Sequence, residues 1–75
     1  MTISDRLNKI IQEQHLTKKE FAEKLGITEN YVYILTGNSN RRPKQIAHSL
    51  AKLIAIEFGY NEQWIIDGNE PKNSN

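Results

Sequence analysis

The sequence predicts a compact all-α domain of five short helices. Apolar residues recur at helical spacing in five segments, and no segment shows the alternation of a β-strand. Threonine or asparagine caps and glycine or proline separate most of these segments. The chain has 75 residues, and a chain near this size buries about 60% of its unfolded surface. We therefore expect a single domain over residues 1–68 and a flexible polar tail over residues 69–75.

The first predicted helix begins after Thr2, which is a favourable N-cap residue with Asp5 in the capping-box position. Its apolar residues lie on one face, at positions i, i+4, i+7 and i+8: Ile3, Leu7, Ile10 and Ile11. The pattern ends near Gln14 and His15, so the helix should end there.

Residues 17–37, TKKEFAEKLGITENYVYILTG, predict two short helices joined by a tight turn at Gly26. Thr17 and Glu20 form a second possible capping box, and Thr28 can cap the helix that follows the turn. Glycine suits the turn because it adopts the left-handed conformation at the least cost. The predicted inward residues of the two helices are Phe21, Ala22, Leu25, Val32 and Leu35.

A fourth helix is predicted from Pro43 to Phe58, ending at Gly59, and a fifth over EQWII after the cap Asn61, ending at Asp67 and Gly68. The core-facing stripe of the fourth helix contains Ala47, Leu50, Ala51, Ile54 and Phe58. A second apolar flank, which one small core does not require, contains Ile46, Leu53 and Ile56.

Composition narrows the possible functions. Net charge is +1, but residues 1–44 hold eight Lys/Arg against five acids, a net +3, so positive charge is concentrated there. There are no cysteines, no apolar run of about 20 residues and no signal-peptide pattern, so we expect a cytoplasmic protein. No catalytic or metal-ligand spacing is evident, and we expect neither an enzyme nor a cofactor or small-molecule ligand.

The segments LTKKEFAEKLGITENYV and FGYNEQWIIDGNEP resemble the phage Cro and lambda-type repressor family of helix-turn-helix proteins, also called the xre type. The resemblance covers roughly residues 6–68. It implies a lambda-repressor-like fold and a sequence-specific transcriptional regulator that binds double-stranded DNA, usually as a homodimer on a pseudo-palindromic operator. Two positions depart from the family pattern. Lys18 stands where glutamine is common, and Gly37 comes one residue early, so either the third helix ends early or Asn38 adopts the left-handed conformation.

The resemblance also implies which residues contact DNA. A recognition helix near residues 28–36 would enter the major groove, where its N-terminal residues reach base edges. The implied base-reading residues are Thr28, Glu29, Asn30, Tyr33 and Ile34. The implied phosphate contacts are Lys18, Lys19, Tyr31, Arg41, Arg42 and Lys44. Glu29 has three interpretations: it accepts from a cytosine amino group, it is an acid favoured by the helix dipole, or it pairs with Lys18.

The unused flank of the fourth helix suggests a two-fold interface. The predicted interface residues are Leu53, Ile56, Tyr60, Ile65 and Ile66. The alternative is that the fifth helix and the tail cover Leu53 and Ile56. An alternative function is a protein–protein interaction or antitoxin-like module on the same fold without DNA binding, which Glu29 and the weak net charge favour.

Overall fold

A computed structural model of the chain describes residues 2–37, 46–68 and 71–72. Across these ranges the all-α prediction is confirmed, with five helices and no strand: α1 (Ile3–Glu13), α2 (Lys18–Leu25), α3 (Glu29–Thr36), α4 (His48–Phe58) and α5 (Glu62–Asp67). None of the helices in this part of the chain is long and apolar enough to cross a membrane. Helix α1 packs against α3 and α5, α2 packs against α3 and α4, and α4 packs against α5.

The predicted helix starts are confirmed where a threonine side chain caps the helix. The Thr2 hydroxyl accepts a hydrogen bond from the Asp5 N–H at 3.1 Å, and the Asp5 carboxylate accepts one from the Thr2 N–H at 3.1 Å. Thr17 and Glu20 form the same reciprocal pair at 3.0 and 2.8 Å. These bonds satisfy N–H groups that have no partner inside the helix, so local sequence fixes where α1 and α2 begin.

The core is formed by one face of each helix. Rings of Phe21 and Phe58 stack with centroids 5.6 Å apart, which joins α2 to α4. The buried apolar residues of the core are Ile3, Leu7, Ile10, Ile11, Phe21, Ala22, Leu25, Val32, Leu35, Ile46, Leu50, Ala51, Ile54, Tyr60, Trp64 and Ile65. The predicted inward residues of α1, α2 and α3 are all among them.

Helix α4 begins later than predicted. It starts at His48, after an N-cap at Ala47 whose backbone is extended (φ −64°, ψ 140°), and the predicted start at Pro43 lies outside the described residues. Because the helical period does not hold before His48, two side-chain assignments are wrong: Ile46 is buried in the core, and Ala47 is exposed.

Helix α3 ends at Thr36, which supports the first of the two interpretations of the early glycine. Gly37 has an extended backbone (φ −77°, ψ 160°), and Asn38 lies outside the described residues. A Cβ atom at position 37 would lie 2.9 Å from the Tyr33 carbonyl oxygen. Glycine is therefore needed here for a close backbone approach rather than for a left-handed conformation.

Lys72 lies in the predicted flexible tail but makes two contacts with the rest of the domain. Its carbonyl accepts a hydrogen bond from the Asn61 N–H at 2.8 Å, and its ammonium lies 2.6 Å from the Glu13 carboxylate. These two contacts hold Lys72 against α1 and the start of α5.

Candidate nucleic-acid interface

Helix α3 has a buried face and an exposed face. Val32, Leu35 and Thr36 are buried. Its outward side chains are Glu29, Asn30, Tyr33 and Ile34, which are all exposed. Tyr33 and Ile34 leave 52% and 53% of their surfaces in solvent, which is high for large apolar residues in a small domain. The outward row is where the predicted base-reading residues of α3 lie.

The C-terminal end of α3 is held by α1. The Thr36 carbonyl accepts hydrogen bonds from the Ser4 hydroxyl at 2.8 Å and from the Asn8 side-chain amide at 3.1 Å. The Thr36 hydroxyl donates back to the Val32 carbonyl at 2.8 Å. Carbonyls at a helix end lack intrahelical partners, so these contacts fix how far α3 extends and how it is oriented. Ser4 and Asn8 were not singled out in the sequence, although their i, i+4 spacing places both on one side of α1.

Lys18 contacts the ring of Tyr33. Its ammonium lies 4.7 Å from the ring centroid, within the range of a cation–π interaction. The predicted alternative in which Lys18 pairs with Glu29 is not seen here: both residues are described, no ion pair joins them, and the Lys18 ammonium lies against Tyr33. The start of a helix disfavours a cation, and the electron-rich ring partly compensates for this. The result is a positive charge beside the exposed row of α3.

The other predicted contact residues have different environments. Lys19 is exposed, whereas Tyr31 is half-buried against the core. The Thr28 hydroxyl accepts a hydrogen bond from the Tyr31 N–H at 3.1 Å, so its oxygen already caps α3. Three predicted phosphate contacts lie outside the described residues: Arg41, Arg42 and Lys44.

Arg6, which counted toward the positive charge of residues 1–44, is not part of this surface. It is only 4% exposed, and its guanidinium donates to the carbonyls of Ile65 at 3.0 Å and Ile66 at 2.9 Å. Burial lowers the pKa of Arg6, and nearby Asp67 opposes that shift. Arginine remains charged in proteins, so Arg6 neutralises the negative C-terminal end of α5. Arg6 lies three residues after Ile3 on α1, a position that the apolar pattern alone does not mark.

The predicted two-fold interface is wrong for two of its five residues. Tyr60 is 4% exposed and Ile65 is fully buried, so neither can reach a partner surface. The Tyr60 ring stacks on Trp64 with centroids 6.1 Å apart, and Trp64 is itself buried in the core. Ile66 is half-buried against the core. Leu53 and Ile56 remain exposed on α4, at 40% and 72%.

The exposed row of α3 therefore combines groups suited to a polar, partly apolar partner. The side chains of Glu29 and Asn30 make no hydrogen bond to any described residue, and they keep their full capacity to accept or donate. Tyr33 and Ile34 add apolar surface, and Lys18 adds positive charge. Comparison of the chain with protein-family models, curated proteins and solved structures found no match.

Proposed function

We propose that the protein is a sequence-specific transcriptional regulator of the Cro and lambda-repressor type that binds double-stranded DNA. Helix α3 lies in the major groove, with residues 28–36 as the recognition helix. The observation that carries the proposal is the exposure of Asn30, Tyr33 and Ile34, three residues of the outward row of α3. The opposite face of the helix is buried, and the Lys18 ammonium lies against Tyr33. The sequence resemblance supports the same function. A regulator of this type acts in the cytoplasm.

Base reading rests on the chemistry of the exposed row. A major groove about 12 Å wide admits an α-helix, and asparagine can form two hydrogen bonds with adenine. Asn30 is exposed in the first turn of α3, so its amide can approach a base edge. Tyr33 and Ile34 offer apolar surface to a thymine methyl group. Glu29 either accepts from a cytosine amino group or only stabilises the N-terminus of α3.

Phosphate contacts anchor the complex without reading its sequence. Lys18 and Lys19 begin α2, where a phosphate oxygen can accept from both their ammonium groups and the nearby N–H groups. Because Lys18 also lies against Tyr33, a phosphate contact at Lys18 fixes the side of α3 that faces the bases.

Selection of bound sequences from a random double-stranded DNA pool tests the proposal. We expect one enriched motif, whose binding is then measured by fluorescence anisotropy between low and moderate salt. If four or five cations contact phosphates, log K falls with log salt at a slope of about −4. No enrichment over the starting pool, or a slope near zero, would contradict DNA binding.

Lys18→Ala tests the phosphate contact. We expect the affinity for all DNA sequences to fall together and the salt slope to lessen by about one, because one counterion fewer is released. Lys24→Ala is the matched control, since Lys24 is exposed in the last turn of the same helix and should leave binding nearly unchanged. Equal losses from both variants would show a general charge effect instead of a local contact.

A second candidate is a protein–protein interaction or antitoxin-like module on the same fold, without DNA binding. The exposure of Tyr33 and Ile34 next to the acid Glu29 favours it, because aromatic and aliphatic residues also form protein interfaces. In that case the DNA pool yields no motif, and Lys18→Ala leaves the partner affinity unchanged at moderate salt.

A further inference from the structure

Glu29 and Tyr33 are neighbours on the outward face of α3. They are four positions apart, so they lie one helical turn from each other, with Cβ atoms separated by about 5–6 Å. Both are exposed, and Tyr33 leaves 52% of its surface in solvent. The Glu29 carboxylate makes no hydrogen bond or ion pair with any other described residue. The outward face therefore offers a hydrogen-bond acceptor directly beside an aromatic surface.

The aromatic surface is partly occupied by Lys18. The ammonium of this lysine lies over the Tyr33 ring, 4.7 Å from its centroid. The rest of the ring is open, since Tyr33 is half exposed. The face of an aromatic ring is electron-rich and attracts the weakly positive hydrogens of a C–H group. The open part of the Tyr33 ring is therefore suited to a methyl group.

One modified base presents both matching groups side by side in the major groove. Cytosine displays an amino group there, which donates to glutamate, and thymine displays a methyl group at C5. 5-Methylcytosine has both groups, on adjacent carbons of the same ring. Thymine has the methyl group but presents the acceptor O4, which repels a carboxylate. Unmodified cytosine has the amino group but lacks the methyl group.

We infer that Glu29 and Tyr33 together read 5-methylcytosine in double-stranded DNA, so the protein binds a methylated site more tightly than the unmethylated one. The Glu29 carboxylate accepts from the amino group, and the Tyr33 ring packs on the methyl group of the same base. The inference rests on the proposed function, because it assigns a base to two residues of the recognition helix. It adds that covalent modification of the DNA regulates binding.

Methylation of single bases in the selected motif tests the inference. Fluorescence anisotropy compares duplexes in which each cytosine in turn carries a 5-methyl group. At one cytosine we expect methylation to raise the affinity about fourfold, the gain from burying one methyl group. Thymine at that position should bind about tenfold more weakly than cytosine, because its O4 cannot donate to Glu29. Replacement of each thymine by uracil removes a methyl group elsewhere and shows whether thymine is the source of methyl recognition.

Two variants separate the roles of the pair. Tyr33→Ala should remove the gain from methylation but keep the preference for cytosine over thymine, whereas Tyr33→Phe keeps the ring and should keep both. Glu29→Gln should keep the gain from methylation but lose the preference for cytosine, because an amide also donates to O4 of thymine. Ile34→Ala is the matched control: it removes an equally exposed apolar residue, at 53%, and should leave the gain at this cytosine unchanged.

The outcomes distinguish this inference from DNA binding itself. Equal affinity with and without the methyl group at every cytosine of the motif would overturn the inference and leave DNA binding intact. A gain that survives Tyr33→Ala, or that Ile34→Ala removes, would overturn it as well, provided that circular dichroism shows both variants to be folded. If only the uracil duplexes bind differently, the methyl group that is read belongs to thymine and the inference is wrong. A chain that selects no motif contradicts the proposed function and this inference together.

Discussion

Polar side chains have opposite roles in two regions of the molecule: the junction between α1 and α5, and the outward face of α3. At the junction, the Arg6 guanidinium binds the end of α5, and the Tyr60 hydroxyl donates to the Glu13 carboxylate at 2.8 Å. On α3, by contrast, Glu29 and Asn30 are exposed and make no side-chain hydrogen bond to a described residue. Polar residues therefore stabilise the fold at the junction and remain available for a partner on α3.

This difference predicts that substitutions separate into two classes. Changes at the junction should lower the free energy of unfolding, because buried polar groups lose partners that water cannot replace. Changes on the outward face of α3 should leave stability intact and alter binding alone. Unfolding free energy and DNA affinity, measured for the same variant, distinguish the two classes.

The largest effect is expected for Arg6→Ala. Losing two hydrogen bonds from a buried charged group leaves the carbonyls of Ile65 and Ile66 unpaired and should cost about 3 kcal/mol of unfolding free energy. Urea unfolding measures this loss. Lys9→Ala, at an exposed position of the same helix, is the control and should change stability by less than about 0.5 kcal/mol. A similarly small loss for Arg6→Ala would mean that the junction does not depend on this residue.

Asn30→Ala should have the reverse profile. Stability should change by less than about 0.5 kcal/mol, because the side chain is exposed. Affinity for the selected DNA motif should fall by about 1–3 kcal/mol, with loss of preference at one adenine position. Fluorescence anisotropy with the motif and with single-base variants measures the affinity and the base preference. An equal loss for every sequence would show that Asn30 contacts the DNA backbone and does not read a base.

The smallest effect is the pH dependence that arises from Glu13. Hydrogen bonds from Lys72 and Tyr60 lower the pKa of this carboxylate below its ordinary value of 4.5. A lowered folded-state pKa adds stability above the unfolded-state pKa, and this stability is lost as pH falls through the folded-state value. Unfolding free energy should therefore drop less between pH 7 and pH 3 in Glu13→Gln than in the original chain.

Glu23 provides a control for the pH dependence of Glu13, and Asp5 adds a pH dependence of its own. Glu23→Gln, at an exposed position of α2, is the matched control and should keep the full pH dependence. Asp5 contributes separately in all variants, because hydrogen bonds from the Thr2 N–H and hydroxyl lower its pKa. If Glu13→Gln and the original chain lose equal stability on acidification, the contact with Lys72 does not stabilise the folded state.

Sequence alone determined the features that depend on neighbouring residues. Helix caps at Thr2, Thr17 and Thr28 involve groups three residues apart, so their hydrogen bonds can be predicted from spacing. The inward faces of α1, α2 and α3 follow from helical periodicity for the same reason. The left-handed glycine at Gly26 (φ 71°) was also predictable, because it ends a helix whose length the apolar pattern sets.

Tertiary structure decided the features that join distant parts of the chain. The contact of Arg6 with Ile65 spans 59 residues, and that of Lys72 with Glu13 also spans 59, so no local pattern reveals either. Long-range packing also decided which of the predicted dimer residues are exposed. Contacts with α1 and α5 bury Tyr60, whereas Ile56 remains exposed to solvent. Sequence marks which residues can be buried, but long-range packing decides which of them are, since burial depends on elements that meet only in the folded chain.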